Sequence, residues 1–351
     1  MSNNNNKNAY KKYIWKKWLA LIILVVILFA VVLIALSVGS SGLSVTEILR
    51  VLFGGGEKAS RTIVFNVRMP RIMTGIAVGF ALAMAGCIMQ NVLRNPLASA
   101  STLGISQGAS FGAAFAIIYL QAGNTSVNAI TFTNPYTVVI CAFLGGIATT
   151  ALILLLTRVS GVTPSSMILA GVAISAMFTG ATTLMQYFSD ESKVAAVVYW
   201  TFGNLGRAGW NEISLIFILS AAAFLYFIIN RWNYNAMESG ANTAKSLGVN
   251  VDALILISMG AATLISAVAI AFVGTISFIG LIAPHIVRRF VGNDYRFLIP
   301  CSALMGAVVM LAADVASRTI ASPAILPIGA VTSFLGAPLF LYMIIKKGKI
   351  R

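Results

Sequence analysis

The sequence predicts an all-α polytopic membrane protein with about ten transmembrane helices, and three observations carry that expectation. Of 351 residues, 59% are hydrophobic and only 9% charged, with a mean hydropathy of +0.91, against about 25% charged in a soluble domain. Apolar runs close to the roughly 20 residues that a helix needs to cross hydrocarbon recur along the chain. The 24 lysines and arginines gather between those runs. The formal net charge of +15 therefore reads as membrane topology and requires no nucleic acid.

The first run, Trp18 to Val38, has no charge over 21 residues and follows Lys7, Lys11, Lys12, Lys16 and Lys17. It is too long for a signal-peptide core of about 7–15 residues, and no A-x-A site follows. It is read as a retained span, with 1–17 a disordered, basic cytoplasmic tail. The next spans are expected near 72–92, 104–120, 136–156, 167–188, 213–229 and 254–273. In the second, Ala77, Ala81 and Ala85, and also Gly75 and Gly79, recur every four residues, a spacing that lets helices approach closely in lipid. The eighth, 279–290, is too short to cross alone and reads as a half-span covered by protein. Spans at 297–315 and 328–345 complete a single transmembrane domain over 18–346, and 347–351 is a basic cytoplasmic end. With both termini in the cytoplasm, sixteen of the 24 basic residues fall inside, in line with the positive-inside rule.

Several chemistries are not signalled. There is no G-x-x-x-x-G-K-[ST] string; "GGGEKAS" at Gly54 to Ser60 has its glycines and lysine in the wrong order for a P-loop. There is no H-E-x-x-H and no plausible catalytic triad, so no catalytic residue is assigned and an enzyme is not expected. Cys87, Cys141 and Cys301 lie in different apolar runs and read as packing residues. His285 is the only histidine, which makes a poor site for a borderline metal. Only Asp314 lies well inside a span, one turn before Arg318. An ion-coupled carrier would bury more ionisable groups, so a carrier of this kind is expected to draw energy from a separate subunit.

Four strings are more specific: "RMPR" at Arg68 to Arg71, "NPLASASTLGISQGASFGAA" at Asn95 to Ala114, "NAMESGANTAKSLGV" at Asn235 to Val249, and "GTISFIGLIAPHIVRRFVGNDYRFLIP" at Gly274 to Pro300. "LPIGAVTSFLGAPLF" follows at Leu326 to Phe340. In this order and spacing, from about Arg68 to Ile345, the chain closely resembles the permease subunits of type II ABC importers for iron-siderophores, haem and vitamin B12.

The resemblance implies the type II importer permease fold and alternating access. It implies a second permease subunit, identical or homologous, two cytoplasmic ATPases, an extracytoplasmic binding protein and an iron chelate as substrate. ATP would sit on the partner, with no cofactor bound directly here. The localisation implied is the cytoplasmic membrane of a prokaryote. By the same resemblance Arg68, Arg71 and Arg318 face the binding protein, although snorkelling or pairing with Asp314 would explain them equally. The loop about 235–249 matches the coupling helices that enter the ATPase: Glu238, Ser239, a break at Gly240, Ala241, Ala244, Lys245, Leu247 and Gly248. Many relatives carry Glu where this chain has Ala241; Glu238 could compensate.

Asn95-Pro96 should stop the second helix. Ser99, Ser101, Thr102 and Ser106 could then satisfy freed backbone groups, with Gly104 and Gly108 in the same connection. Pro284 and His285 are read as an architectural break, not as ligands. In the outer segment Gln186 to Ile213, Trp200 and Trp210 are expected as interfacial anchors.

Overall fold

A computed structural model describes residues 2–39, 43–126, 129–132, 134–160 and 164–348; the end of the basic C-terminal segment, 349–351, lies outside them. Helix α1 (Ser2–Ser37) carries the first apolar run. It also reaches back through the segment expected to be a disordered tail. The reason is anchoring: Lys17 is only 2% exposed and pairs with Asp294 at 3.0 Å, while Trp18 meets Phe297 edge-on.

Helix α2 (Val45–Leu52) is short and starts at Ser44, whose hydroxyl oxygen accepts from Glu47 N at 3.2 Å, a standard use of serine before a first turn. Helix α3 (Lys58–Thr62) runs through one π-helical stretch, Ile63–Arg68, into α4 (Met69–Val92). Pro70 comes just after that stretch; it has no N–H to give the preceding turn, and it sits where the continuous helix departs from α geometry. Helix α4 ends at Val92, just ahead of Asn95-Pro96, as the sequence anticipates. Thr102 then donates to the Leu97 carbonyl at 3.0 Å and accepts from Ser99 N at 2.8 Å, so hydroxyls do satisfy the non-helical connection. Ser106 does not take part.

Helix α5 (Ile105–Ile118) follows; at 1.5 Å per residue it is about 21 Å long, short of the roughly 30 Å hydrocarbon layer. A ribbon of β1 (Gly123–Ser126) and β2 (Ala129–Phe132), antiparallel, then caps the bundle; the sequence reading had placed no strand there. Helices α6 (Pro135–Ser160), α7 (Pro164–Tyr187) and α8 (Glu191–Thr201) follow. Trp200 of α8 is buried, so it packs against the bundle instead of anchoring at the interface; Trp210 is exposed.

Helix α9 (Trp210–Ile229) leads to two short helices, α10 (Arg231–Glu238) and α11 (Ala241–Ser246), broken at Gly240 with φ +118°, where the sequence places the break. Then come α12 (Val251–Val273), α13 (Ile279–Val291), α14 (Tyr295–Thr319) and α15 (Ile328–Gly348). Among the described residues, seven helices are long and apolar enough to cross a membrane. With α5, α13 and α15, all ten expected runs are helical.

Helix α4 is the enclosed centre, packed by α9, α12, α13 and α14. Its glycines allow this. A Cβ on Gly79 would lie 2.5 Å from the Gly306 carbonyl of α14, and one on Gly86 would collide with the Gly280 carbonyl of α13. Backbone meets backbone at both crossings, the small-residue packing that lipid favours. Gly79→Val and Gly86→Val should each destabilise the purified chain by about 1–3 kcal/mol, the usual range for overpacking. Thermal unfolding in detergent reads this as a lowered midpoint, and an unchanged midpoint would contradict the crossing.

Candidate functional site

Three polar assemblies interrupt the apolar bundle. The first lies at the end of α1. Asp314 of α14 is fully buried. Arg71 Nε donates to its Oδ1 at 2.8 Å, and Arg318 Nη2 lies 2.9 Å from its Oδ2. Arg318 also donates to the carbonyls of Ala35 (3.2 Å) and Val38 (2.6 Å), and Arg68 donates to those of Leu36 and Ser37. These are the last-turn carbonyls of α1, which have no intrahelical partner and carry the negative end of the helix dipole. The structure thus brings Arg68, Arg71 and Arg318 together and aims them inward, with Arg68 only 5% exposed. They clamp α1 to α4 and α14.

The second assembly is at the opposite end of α4, around the α13–α14 turn. Pro284 lies inside α13 and leaves the Gly280 carbonyl without its helical N–H. Gln90 of α4 donates Nε2 to that carbonyl at 3.3 Å. Gln90 Oε1 accepts from Arg288, whose other nitrogen reaches the Tyr295 hydroxyl at 3.4 Å. The break expected at Pro284 and His285 is not there: α13 runs through both residues. The break lies earlier, in the extended residues 274–278, where Phe278 adopts φ +68°.

Asp294 caps α14 and holds Lys17 at 3.0 Å and Arg296 at 2.8 Å. Asn235 of α10 donates to Asp294 at 3.5 Å and accepts from Tyr295 N at 2.9 Å, and Asn293 donates to Glu238. The two-helix loop is therefore fastened to α14. Between the end of α4, α10 and α13 is a polar cavity of about 330 Å³, bordered by Asn95, Pro96, Glu238, His285 and Arg288 among others. On the free side of the loop Ser239, Lys245, Leu247 and Gly248 are exposed, Leu247 by 68%. Ala244 is buried, Ala241 half-buried, and Lys245 is 3.8 Å from Asp252.

The third assembly is a groove of about 270 Å³ between α5, α7 and the 274–278 break. Helix α5 supplies Ser106, Gln107 and Ser110, α7 supplies Thr179, Thr182, Thr183 and Gln186, and the break supplies Thr275 and Ser277. Gly104 starts α5 at φ +83°, and Gly108 packs α5 onto α6 with no space for a Cβ. Both position the groove and do not line it.

Gln90, Asn235, Asp294, Lys17 and the α7 hydroxyls were not singled out from sequence. One signal was present: a proline inside a half-span demands a donor for the carbonyl four residues back. Which helix supplies it depends on a contact across 190 residues.

The profile of the FecCD transport family matches residues 24–346. A Methanocaldococcus jannaschii protein named as an ABC transporter permease is 51% identical, covering 97% of this chain and 98% of its own. The Fe(3+)-citrate import system permease of Bacillus subtilis is 33% identical over 90% of each chain. The hemin transport system permease of Yersinia pestis is also 33% identical, over 91% of this chain and 94% of its own. A solved metal-chelate type ABC transporter in an inward-facing conformation superposes with a TM-score of 0.82 at 30% identity, over 93% of this chain and 98% of that one.

Two predictions arise from these assemblies. Asp314→Asn should cost about 3–5 kcal/mol, because it leaves buried arginines without their counter-charge; thermal unfolding at neutral pH measures it. Burial would raise the Asp294 carboxyl, but hydrogen bonds from Arg296 and Lys17 bring it down to about 2. Its stabilisation is thus complete above the ordinary carboxylate value of about 3.9 and is lost as pH falls from there through about 2. Lys17→Met should flatten that part of the stability–pH profile, leaving stability less dependent on pH between about 4 and 2.

Proposed function

This chain belongs to the FecCD transport family, and from that premise we propose that it carries an iron chelate inward across the cytoplasmic membrane of a prokaryote. It has the fold of an ABC importer permease. It works as one of two permease subunits, identical or homologous, around a shared path, with both termini in the cytoplasm. Hydrolysis belongs to two separate ATPase subunits below, and a binding protein delivers the chelate from above. An Fe(3+)-citrate relative supports a ferric chelate as cargo; the hemin relative keeps haem, and with it cobalamin, as the nearest alternatives.

The observation that carries this reading is the hinged pair α10–α11. One side is fastened to the start of α14 through Asn235 and Glu238, and the other exposes the apolar Leu247 beside Gly248. A large exposed apolar side chain on a polar loop fits a partner's pocket. A push on α11 then passes through short hydrogen bonds to α14 and α13. Residues Glu238 to Gly248, with Ala241 and Ala244 facing inward, form this coupling element.

At the outer end, Arg71 and Arg318 share the Asp314 carboxylate, and Arg68 beside them donates to carbonyls of α1. The Arg68, Arg71 and Arg318 cluster therefore shapes the rim and leaves positive charge beneath it, which steers an acidic partner surface into register. Asn95, Pro96, Gly104, Gly108, Pro284 and His285 act as architecture around the path. The domain assignment follows: one transmembrane unit over 18–346, with a basic cytoplasmic end at 347–351.

The test is co-purification with the ATPase encoded alongside. Leu247→Asp should reduce the ATPase retained on the purified permease by about tenfold, equivalent to about 1.4 kcal/mol, without lowering the yield of folded permease. Equal retention would refute the coupling role, and uptake by the chain alone without ATP would refute the importer reading.

A further inference from the structure

The groove between α5, α7 and the 274–278 break has a chemistry of its own. On α7, Thr179, Thr182 and Thr183 each give their hydroxyl proton to the carbonyl one turn back, at 2.8, 2.8 and 3.0 Å. Ser110 does the same to the Ser106 carbonyl at 2.9 Å. These oxygens therefore present lone pairs to the groove as acceptors. The donors differ: the amide groups of Gln107 and Gln186, and the hydroxyl of Ser106. Ser106 is 4% exposed, and its Oγ has no hydrogen-bond partner among the described residues; the same holds for Gln107 Oε1. A buried hydroxyl left in this way costs free energy unless something supplies the bond.

This strip cannot face lipid cheaply. Two glutamines and an extended backbone segment border it, and non-helical backbone at membrane depth is tolerated only against protein or a water-filled space. At the same time the groove carries no charge. Neither α5 nor α7 contains a single Asp, Glu, Lys or Arg. Next along the chain after α7 come Asp190, Glu191 and Lys193, of which Lys193 pairs with Asp190 at 3.5 Å; none of them lines the groove. A multiply anionic ligand would find hydrogen bonds in the groove but no counter-ion. Burying a charge without a counter-ion is costly, whereas burying hydrogen-bonded polar groups is not.

We infer that this groove is the substrate-contacting wall of the path and that it selects chelates of net charge at or near zero, with outward carbonyl and amide groups, as in ferric tris-hydroxamates. This rests on the importer reading above and adds the charge class of the cargo. The groove's acceptors and donors match carbonyl and N–H groups on the outside of such a complex. Its lack of cations disfavours ferric tris-catecholates and ferric citrate, which are anionic.

The experiment uses the full complex, with ATPase and cognate binding protein, in proteoliposomes. Uptake of radioactive iron is compared for a neutral ferric tris-hydroxamate and an anionic ferric tris-catecholate, each normalised to the fraction of binding protein it loads. The neutral complex should enter at least about tenfold faster. Thr183→Lys should shift that ratio by about tenfold toward the anion, and Gln186→Glu should shift it further away; a merely structural role would lower both uptakes alike. Equal or faster uptake of the anion by the wild type, or a binding protein that loads only anionic chelates, would overturn the charge-class inference while leaving the importer reading intact. If both variants lose all uptake, Thr183→Val supplies the check: it must retain the neutral preference, and loss of that preference overturns the inference. No ATP-dependent uptake of either chelate, nor of haem or cobalamin with a binding protein that loads them, would overturn the importer reading itself.

Discussion

In hydrocarbon, a backbone carbonyl without a donor has no water to turn to, and the arrangement around α4 follows from that constraint. Pro284 removes the N–H that would have met the Gly280 carbonyl. Only a neighbouring helix can replace it, and Gln90 of α4 does so at 3.3 Å. The replacement requires α4 and α13 to touch along their backbones, which Gly86 and Gly280 permit. The carbonyls at the end of α1 meet the same constraint by another route. Arg68 and Arg318 collect them, and Asp314 in turn holds Arg318 and Arg71. One end of the bundle is fixed by the Gln90 amide together with the Lys17–Asp294 pair, and the other by the Asp314 clamp.

From this the helices sort into two sets. Helices α9, α12, α13 and α14 gather on α4, with α1 laid on α14, while α5 packs on α6 and α7. The groove lies where the sets meet, with α5 and α7 on one side and the α12–α13 break on the other. The α10–α11 loop is fastened to the α4 set through Asn235, Glu238 and the start of α14. A force applied at the loop therefore reaches one wall of the groove directly and the other only through α12. That asymmetry is what alternating access requires of a permease: one wall that follows the motor, and one that can lag.

Much of this was legible in sequence because lipid makes helices obvious. All ten runs, the stop before Asn95-Pro96 and the hinge at Gly240 could be read from apolar length, proline and glycine alone. What could not be read depends on contacts distant in sequence. Lys17 looked like part of a solvated basic tail until Asp294, 277 residues away, proved to hold it. Arg68, Arg71 and Arg318 share one role in the family resemblance, yet their direction is set by Asp314 and by the last-turn carbonyls of α1, neither of which a local string reveals. Trp200 looked like an anchor because tryptophan often is one, but α8 folds it into the bundle. The hydroxyls of α7 blended into an ordinary small-residue helix until α5 and the 274–278 break were set against them.

The central claim is that the groove is a path whose access alternates under the control of ATP. Thr179 is exposed in the groove and carries a small side chain that a thiol can replace. In the full complex, Thr179→Cys should react with a membrane-impermeant thiol reagent from one side of the membrane without nucleotide and from the other with ATP bound. Labelling that ignores ATP, or that needs a lipid-soluble reagent, would contradict the account.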